Sequence, residues 1–263
     1  MKLQQLVDEL SAFLLAQADG KTFIFGISGG QGAGKSTLCA ALAEKLAAQN
    51  KSALVLALDD FYLPKESRQK LAEDVHPLCA TRGVPGTHEV ERLAQVLARL
   101  TDPGDSAPVE LPRFSKSHDD RMEPATLTAR PDFIFLEGWC VGGHADCITA
   151  APQNQWEHEH DPHGIWKSWS HKAAAAYQPI WARCDAMMLL RQENFDAVID
   201  ARWLQEQGNA AKSGVWQFKS RDEVAAFCAH YQSWTLGIWK DLTQRADFAI
   251  GRDAAYDYYP LRG

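Results

Sequence analysis

Thr22-Phe23-Ile24-Phe25-Gly26-Ile27-Ser28-Gly29-Gly30-Gln31-Gly32-Ala33-Gly34-Lys35-Ser36-Thr37 runs from an apolar stretch through a glycine-rich turn into an alanine-rich helical pattern. Its centre fits G-x-x-x-x-G-K-[ST], and strand, loop and helix follow in the order that this pattern requires. Glycines at these positions let successive backbone N–H groups turn inward on phosphate oxygens. Lys35 can then reach the β and γ oxygens, and Ser36 can ligate Mg²⁺ at a helix N-terminus whose dipole favours anions. The sequence therefore predicts a nucleoside triphosphate site over residues 29–37.

The bulk of the chain bounds what surrounds that loop. Its 263 residues, 46% hydrophobic and 23% charged, suffice for one large domain with its own core. The formal net charge of −7 argues against non-specific binding to nucleic acid or to anionic membranes, so a small-molecule partner is expected. Six cysteines without C-x-x-C spacing, and no basic-then-apolar leader, read as reduced thiols in a cytoplasmic protein. No apolar run approaches bilayer length.

Outward from the loop, apolar residues at helical spacing predict a first helix within residues 1–20 and another over 35–49. Residues 53–58, 133–136, 187–190 and 248–250 are short continuous apolar runs, as buried parallel strands are. Helices are expected over about 87–100, with Thr87 as N-cap, and over about 195–207 and 221–243, with a short strand at 109–111. Alternating strands and helices predict an α/β fold, a mainly parallel sheet covered on both faces, in one domain over 1–263.

Two acidic sites fall at strand ends, where open parallel sheets bind ligands. Asp59 and Asp60 follow the run 53–58. Asp59 can face a γ-phosphate as a general base or as a Mg²⁺ ligand, whereas Asp60 also suits a helix cap or solvated turn. Glu137 ends the run 133–136 and can hold Mg²⁺ directly or through water.

With those residues in place, a resemblance becomes specific. The loop 29–37, Leu58-Asp59-Asp60-Phe61-Tyr62-Leu63, Arg82-Gly83-x-x-Gly86-Thr87-His88, Pro112-Arg113-Phe114-x-Lys116-Ser117, Asp120-Arg121 and Leu136-Glu137-Gly138-Trp139 together resemble the plant-type D-glycerate 3-kinase family. That family groups with the uridine kinases, phosphoribulokinases and pantothenate kinases, and the likeness spans about residues 22–250. It implies a P-loop fold with a small helical lid, and ATP-dependent phosphorylation of a small hydroxylated metabolite, D-glycerate first among them. It also implies Asp59, rather than Asp60, as base and Glu137 as Mg²⁺ partner. Another acid, sugar or nucleoside acceptor, or a regulatory ATPase with no acceptor, are the alternative readings.

Several basic residues suit an anionic acceptor. An arginine fork binds a carboxylate bidentately and a lysine adds a point charge, which favours Arg113 and Lys116, with Arg121 nearby in the sequence. Arg82 and His88 flank the rigid turn Gly-Val-Pro-Gly. The segment Asp200-Ala201-Arg202-Trp203-Leu204-Gln205 resembles the family's lid. This implies that Arg202, with Arg191 in reserve, closes over the phosphates from a lid region over about 191–215.

Two segments depart from the family or invite another reading. His171-Lys172 and Tyr177 stand where the family has Asn-Lys followed by Tyr, and the acceptor segment after Ser117 is shorter than in plant members. Residues 157–163, rich in His, Glu and Asp, read as an exposed charged loop, because Pro162 and Gly164 interrupt any i, i+4 presentation of metal ligands.

Overall fold

Successive residues of a strand point to opposite faces, and that alternation divides the apolar runs between two cores. The computed structural model describes residues 1–262, the side chains of Lys212 and Ser213 excepted. β1 (Phe23–Ser28), β2 (Ala53–Ala57), β5 (Phe133–Gly138), β6 (Ala186–Gln192) and β7 (Phe248–Arg252) pair in parallel in the order β2-β5-β1-β6-β7. A short β8 (Tyr258–Pro260) runs antiparallel on the far edge. Phe25, Ile27, Phe133, Phe135, Met188 and Leu190 face one core, which helices α1 (Leu3–Gln17) and α2 (Lys35–Ala47) cover. Ile24, Ile134, Leu136 and Leu189 face the other. That side is covered by α4 (Val90–Thr101), α6 (Ile165–Ala173), α7 (Gln178–Trp181) and α9 (Arg221–Arg245), the last contributing Trp234, Ile238, Trp239 and Leu242.

Outside the main sheet, β3 (Val109–Ser115) and β4 (Asp120–Leu127) form an antiparallel hairpin. Only its first three residues were expected as strand. The register slips between Leu111 and Arg113, at Pro112, which lacks the N–H a regular ladder needs. α3 (Lys65–Asp74) precedes the hairpin in the chain. It carries Arg68, fully buried, which donates to the carbonyls of Leu63, Ala80 and Asp119 at 3.2, 2.6 and 2.7 Å.

Two expectations are corrected. Thr87 does not cap α4, whose N-cap is Glu89. Its hydroxyl instead accepts from Gly83 N–H (2.9 Å) and donates to Val84 C=O (2.8 Å), closing the turn before the helix. Nor is 157–163 an exposed charged loop: α5 (Gln155–His160) covers its first half, and both Glu157 and Asp161 are buried. The reason lies elsewhere in the chain. Lys167, itself fully buried, places its ammonium 2.6 Å from Glu157 Oε1, and Ser233 of α9 bonds to both. Asp161 accepts the N–H groups of Trp166 and Lys167 that open α6.

α8 (Phe195–Ser213) packs on α9 through a small separate core of Ile199, Val224 and Cys228. α9 also spans distant parts of the molecule. Cys228 touches Gln31 of the loop (3.7 Å), Tyr231 Oη donates to Arg82 C=O (2.7 Å), and Arg245 reaches Gly142 C=O (2.9 Å). No helix among the described residues is long and apolar enough to cross a membrane.

Candidate active site

The phosphate loop turns at the carboxyl end of β1. Gly32 (φ +69°) and Gly34 (φ +99°) take the left-handed conformation that glycine adopts without strain, and Gly34 caps α2. Space is as restrictive as backbone angle here. A Cβ at Gly29 would lie 2.5 Å from Leu190 O, and one at Gly32 would lie 2.6 Å from the Ala201 Cβ of α8. Lys35 folds back on the loop, donating to Gly29 C=O (2.8 Å) and Gly30 C=O (3.2 Å).

Two supports of the loop escaped sequence reasoning. Gln192 Nε2 donates to Gln31 C=O at 2.7 Å, and Arg252 Nη2 donates to Gly32 C=O at 2.9 Å. Both end strands of the parallel sheet, so the rule that singled out Asp59 and Glu137 applied to them equally.

Glu137 sits beside the loop because β5 is the direct neighbour of β1, pairing Ile27 with Glu137. The Ser36 hydroxyl donates to its Oε1 at 3.0 Å. A hydroxyl and a carboxylate, both hard oxygen donors next to the phosphate loop, fit Mg²⁺.

Asp59 lies one strand further out, on the turn Leu58–Phe61 that follows β2. Its Oδ2 pairs with Lys116 Nζ at 2.6 Å, while Oδ1 is buried with no protein partner. Burial works to raise its pKa, yet Lys116, helped by Lys35 and His88, holds it down to about 2. The neighbouring Asp60 has a different task. Its Oδ1 accepts Phe114 N–H at 3.0 Å and ties the β3 strand to this turn, and burial raises its pKa.

The remaining basic residues separate by environment. Arg82 is ion-paired with Asp119 and lies 5.5 Å over the Phe114 ring, so it is engaged in holding the hairpin. Asp119 also takes Arg68 at 3.0 Å. Arg121 pairs with Glu89 and donates to Tyr62 C=O at 3.3 Å, its buried Nε lacking a partner. Arg113 is exposed on β3, and Lys116 follows the end of that strand.

His88 is buried, stacked on Tyr62 at 4.4 Å between centroids and bonded through Nδ1 to Tyr177 Oη at 2.8 Å. Burial lowers its pKa to about 4, so the ring is neutral at physiological pH.

The arginines expected over the phosphates are placed unequally. Arg202 of α8 donates to Glu206 Oε2 (3.1 Å) and Gln217 Oε1 (3.2 Å) and lies over the Phe218 ring, so its guanidinium is held within the α8 region. Arg191 lies on β6 one residue after Leu190, whose carbonyl crowds Gly29, and packs 5.3 Å over Trp239.

A phosphate loop beside a parallel sheet, with carboxylates at the ends of two further strands, defines the class of P-loop kinases that act on small molecules. No family model matches the chain. It is 33% identical over 249 residues to the uncharacterized kinase mug58 of Schizosaccharomyces pombe, covering 87% of this chain and 86% of that one. It is also 29% identical over 136 residues to the chloroplastic D-glycerate 3-kinase of Arabidopsis thaliana, covering 47% of this chain and 29% of the plant one. A solved D-glycerate 3-kinase from Cryptococcus neoformans superposes with a TM-score of 0.75 at 22% identity, over 97% of this chain and 99% of that one. The chain belongs to the family of the fission-yeast kinase, within the group of P-loop kinases that contains the glycerate, uridine and pantothenate kinases.

Proposed function

We propose that this kinase transfers the γ-phosphoryl group of ATP to a hydroxyl of a small hydroxy acid, D-glycerate, giving 3-phosphoglycerate. The observation that carries this reading is the pairing of Asp59, on the turn after β2, with the exposed Lys116. An acceptor that is itself a carboxylate offers Lys116 a new partner and leaves Asp59 to the reacting hydroxyl. The likeness to two proteins named D-glycerate 3-kinase, one from a plant and one from a fungus, supports the same choice.

The roles follow from charge and position. Lys35 and the backbone of residues 29–37 hold the β and γ phosphates, and Ser36 with Glu137 would hold Mg²⁺. Bound there, the metal supplies charge neutralisation at the phosphate oxygens. Asp59 orients the acceptor hydroxyl; phosphoryl transfer passes through a loose transition state, so a carboxylate of low basicity suffices to position the nucleophile and take its proton late. Lys116 and Arg113 bind the acid group, with Arg121, Arg82 and His88 lining the pocket behind them. Arg202 closes from α8 after leaving Glu206, or Arg191 serves from β6.

Incubation with Mg·ATP and a panel of hydroxy acids, sugars and nucleosides, followed by ³¹P spectroscopy, tests the reading. A 3-phosphoglycerate resonance from D-glycerate is the expected result. Phosphorylation of a nucleoside or sugar in preference to every acid in the panel would overturn it, and so would ATP loss without any phosphorylated product.

A further inference from the structure

We infer that Tyr177 and His88 form a fixed relay that presents an Nε2–H donor to the acceptor, and that this donor selects acceptors bearing an oxygen on the carbon adjacent to the one that carries the phosphorylated hydroxyl.

Proton counting sets the direction of the bonds at Tyr177. Tyr177 Oη accepts the Gly86 N–H at 3.0 Å and lies 2.8 Å from His88 Nδ1. A phenol has one proton to give, and with the Gly86 N–H already on its oxygen the satisfied arrangement sends that proton to Nδ1. Nδ1 is then the acceptor of the ring and Nε2 carries the hydrogen. Gly86 can approach this closely because it has no side chain: a Cβ there would lie 2.6 Å from the Trp169 ring, and its φ of +103° suits glycine.

Nε2 is buried and has no partner among the described residues. A buried unsatisfied N–H costs free energy unless something fills the place in the working complex. Asp59 Oδ1, an acceptor, and Arg121 Nε are in the same condition, but the Arg121 guanidinium is already held by Glu89 and the Tyr62 carbonyl. Stacking on Tyr62 and the cross-strand pairing of Tyr62 with His88 fix the ring against the turn that carries Asp59, and the Asp59 carboxylate acts on the ring electrostatically. The Asp59 acceptor and the His88 donor together match two neighbouring hydroxyls: the first gives its proton toward Asp59, the second accepts from His88. Because burial keeps the ring neutral, His88 serves as a hydrogen-bond donor and not as a second charge for the acid group. Tyr177 touches no substrate here and is a positioning residue.

This inference rests on the hydroxy-acid reading above, and one experiment separates the two. The kcat/KM for D-glycerate is compared with that for 3-hydroxypropanoate, which lacks the second hydroxyl, in wild type, His88→Phe, His88→Gln and Tyr177→Phe, together with KM for ATP. Wild type is expected to prefer D-glycerate by about tenfold or more. His88→Phe, which keeps a ring to stack on Tyr62, should lose that preference with KM for ATP unchanged, and His88→Gln, whose amide N–H reaches a similar place, should recover part of it. ¹⁵N spectra of histidine-labelled protein should show His88 protonated at Nε2, and Tyr177→Phe should abolish that single tautomer. A His88→Phe variant that keeps the wild-type preference overturns the inference while the kinase reading stands. A wild type unable to use D-glycerate overturns the hydroxy-acid reading and the acceptor assigned here. A spectrum with Nδ1 protonated overturns the relay whichever acceptor is used.

Discussion

Lys116 Nζ lies 2.6 Å from Asp59 Oδ2, so the group suited to bind an anionic acceptor also occupies the carboxylate suited to receive its hydroxyl. The lysine side chain is 64% exposed and can leave when a better-placed anion arrives. Its hold keeps Asp59 ionised at any pH above about 2. Without it, burial prevails and the Asp59 pKa rises, so the protonated, inactive form persists to higher pH. Lys116→Ala is therefore expected to move the acidic limb of the kcat/KM profile upward in pH. It should also raise KM for the acceptor about tenfold or more, the share of one charge-assisted bond. An acidic limb unmoved from that of the wild type would separate the two residues functionally.

Glu137 and Ser36 meet through a 3.0 Å hydrogen bond beside the phosphate loop. Glu137→Gln removes the charge but preserves the shape, and should raise the Mg²⁺ concentration for half-maximal activity by roughly 10- to 100-fold. Saturating Mg²⁺ should restore part of the rate. Activity titrations against Mg²⁺ at fixed ATP read this directly, and an unchanged midpoint would move the metal elsewhere.

Gly32 is excluded from substitution twice, by its φ of +69° and by Ala201 of α8 standing 2.6 Å from where a Cβ would be. Gly32→Ala costs about 1–2 kcal/mol in backbone strain alone and pushes α8 from the loop. Calorimetric titration with a non-hydrolysable ATP analogue should show affinity reduced about tenfold or more. Gly208→Ala on the same helix, with open space around it, should leave affinity as it is.

Lys167 and Glu157 are both fully buried, and Ser233 closes the group. Lys167→Ala strands a carboxylate in the core and should cost about 3–5 kcal/mol in urea unfolding. Lys167→Met combined with Glu157→Leu removes both charges and should recover most of that loss. A single variant as stable as wild type would mean that Glu157 finds another route to neutrality.

What the sequence made readable was local. β1, β5 and β6 are buried on both faces and so appear as unbroken apolar runs, which fixed the sheet and hence where the loop, Asp59 and Glu137 gather. The β4 strand, Asp120–Leu127, is mostly exposed and polar, with proline and acidic residues within it, so its pairing with β3 left no periodic trace. Glu157 read as surface because the groups that neutralise it lie 10 and 76 residues away. Arg68 was invisible for the same reason: one arginine in a charged helix, buried by carbonyls that only the folded chain brings around it. Thr87 has the right side chain for a helix cap, but its hydroxyl is taken by the turn at Gly83.

The long helix α9 meets the phosphate loop at Cys228, the Arg82 carbonyl at Tyr231, the buried Lys167 group at Ser233 and the loop after β5 at Arg245. An α-helix advances about 100° per residue. Adding or removing a single residue in the middle of α9 would swing every later contact out of phase with the earlier ones. The spacing from Cys228 to Arg245 therefore works as a gauge for this face of the molecule, whereas the length of the segment between α8 and α9 sets none of these contacts.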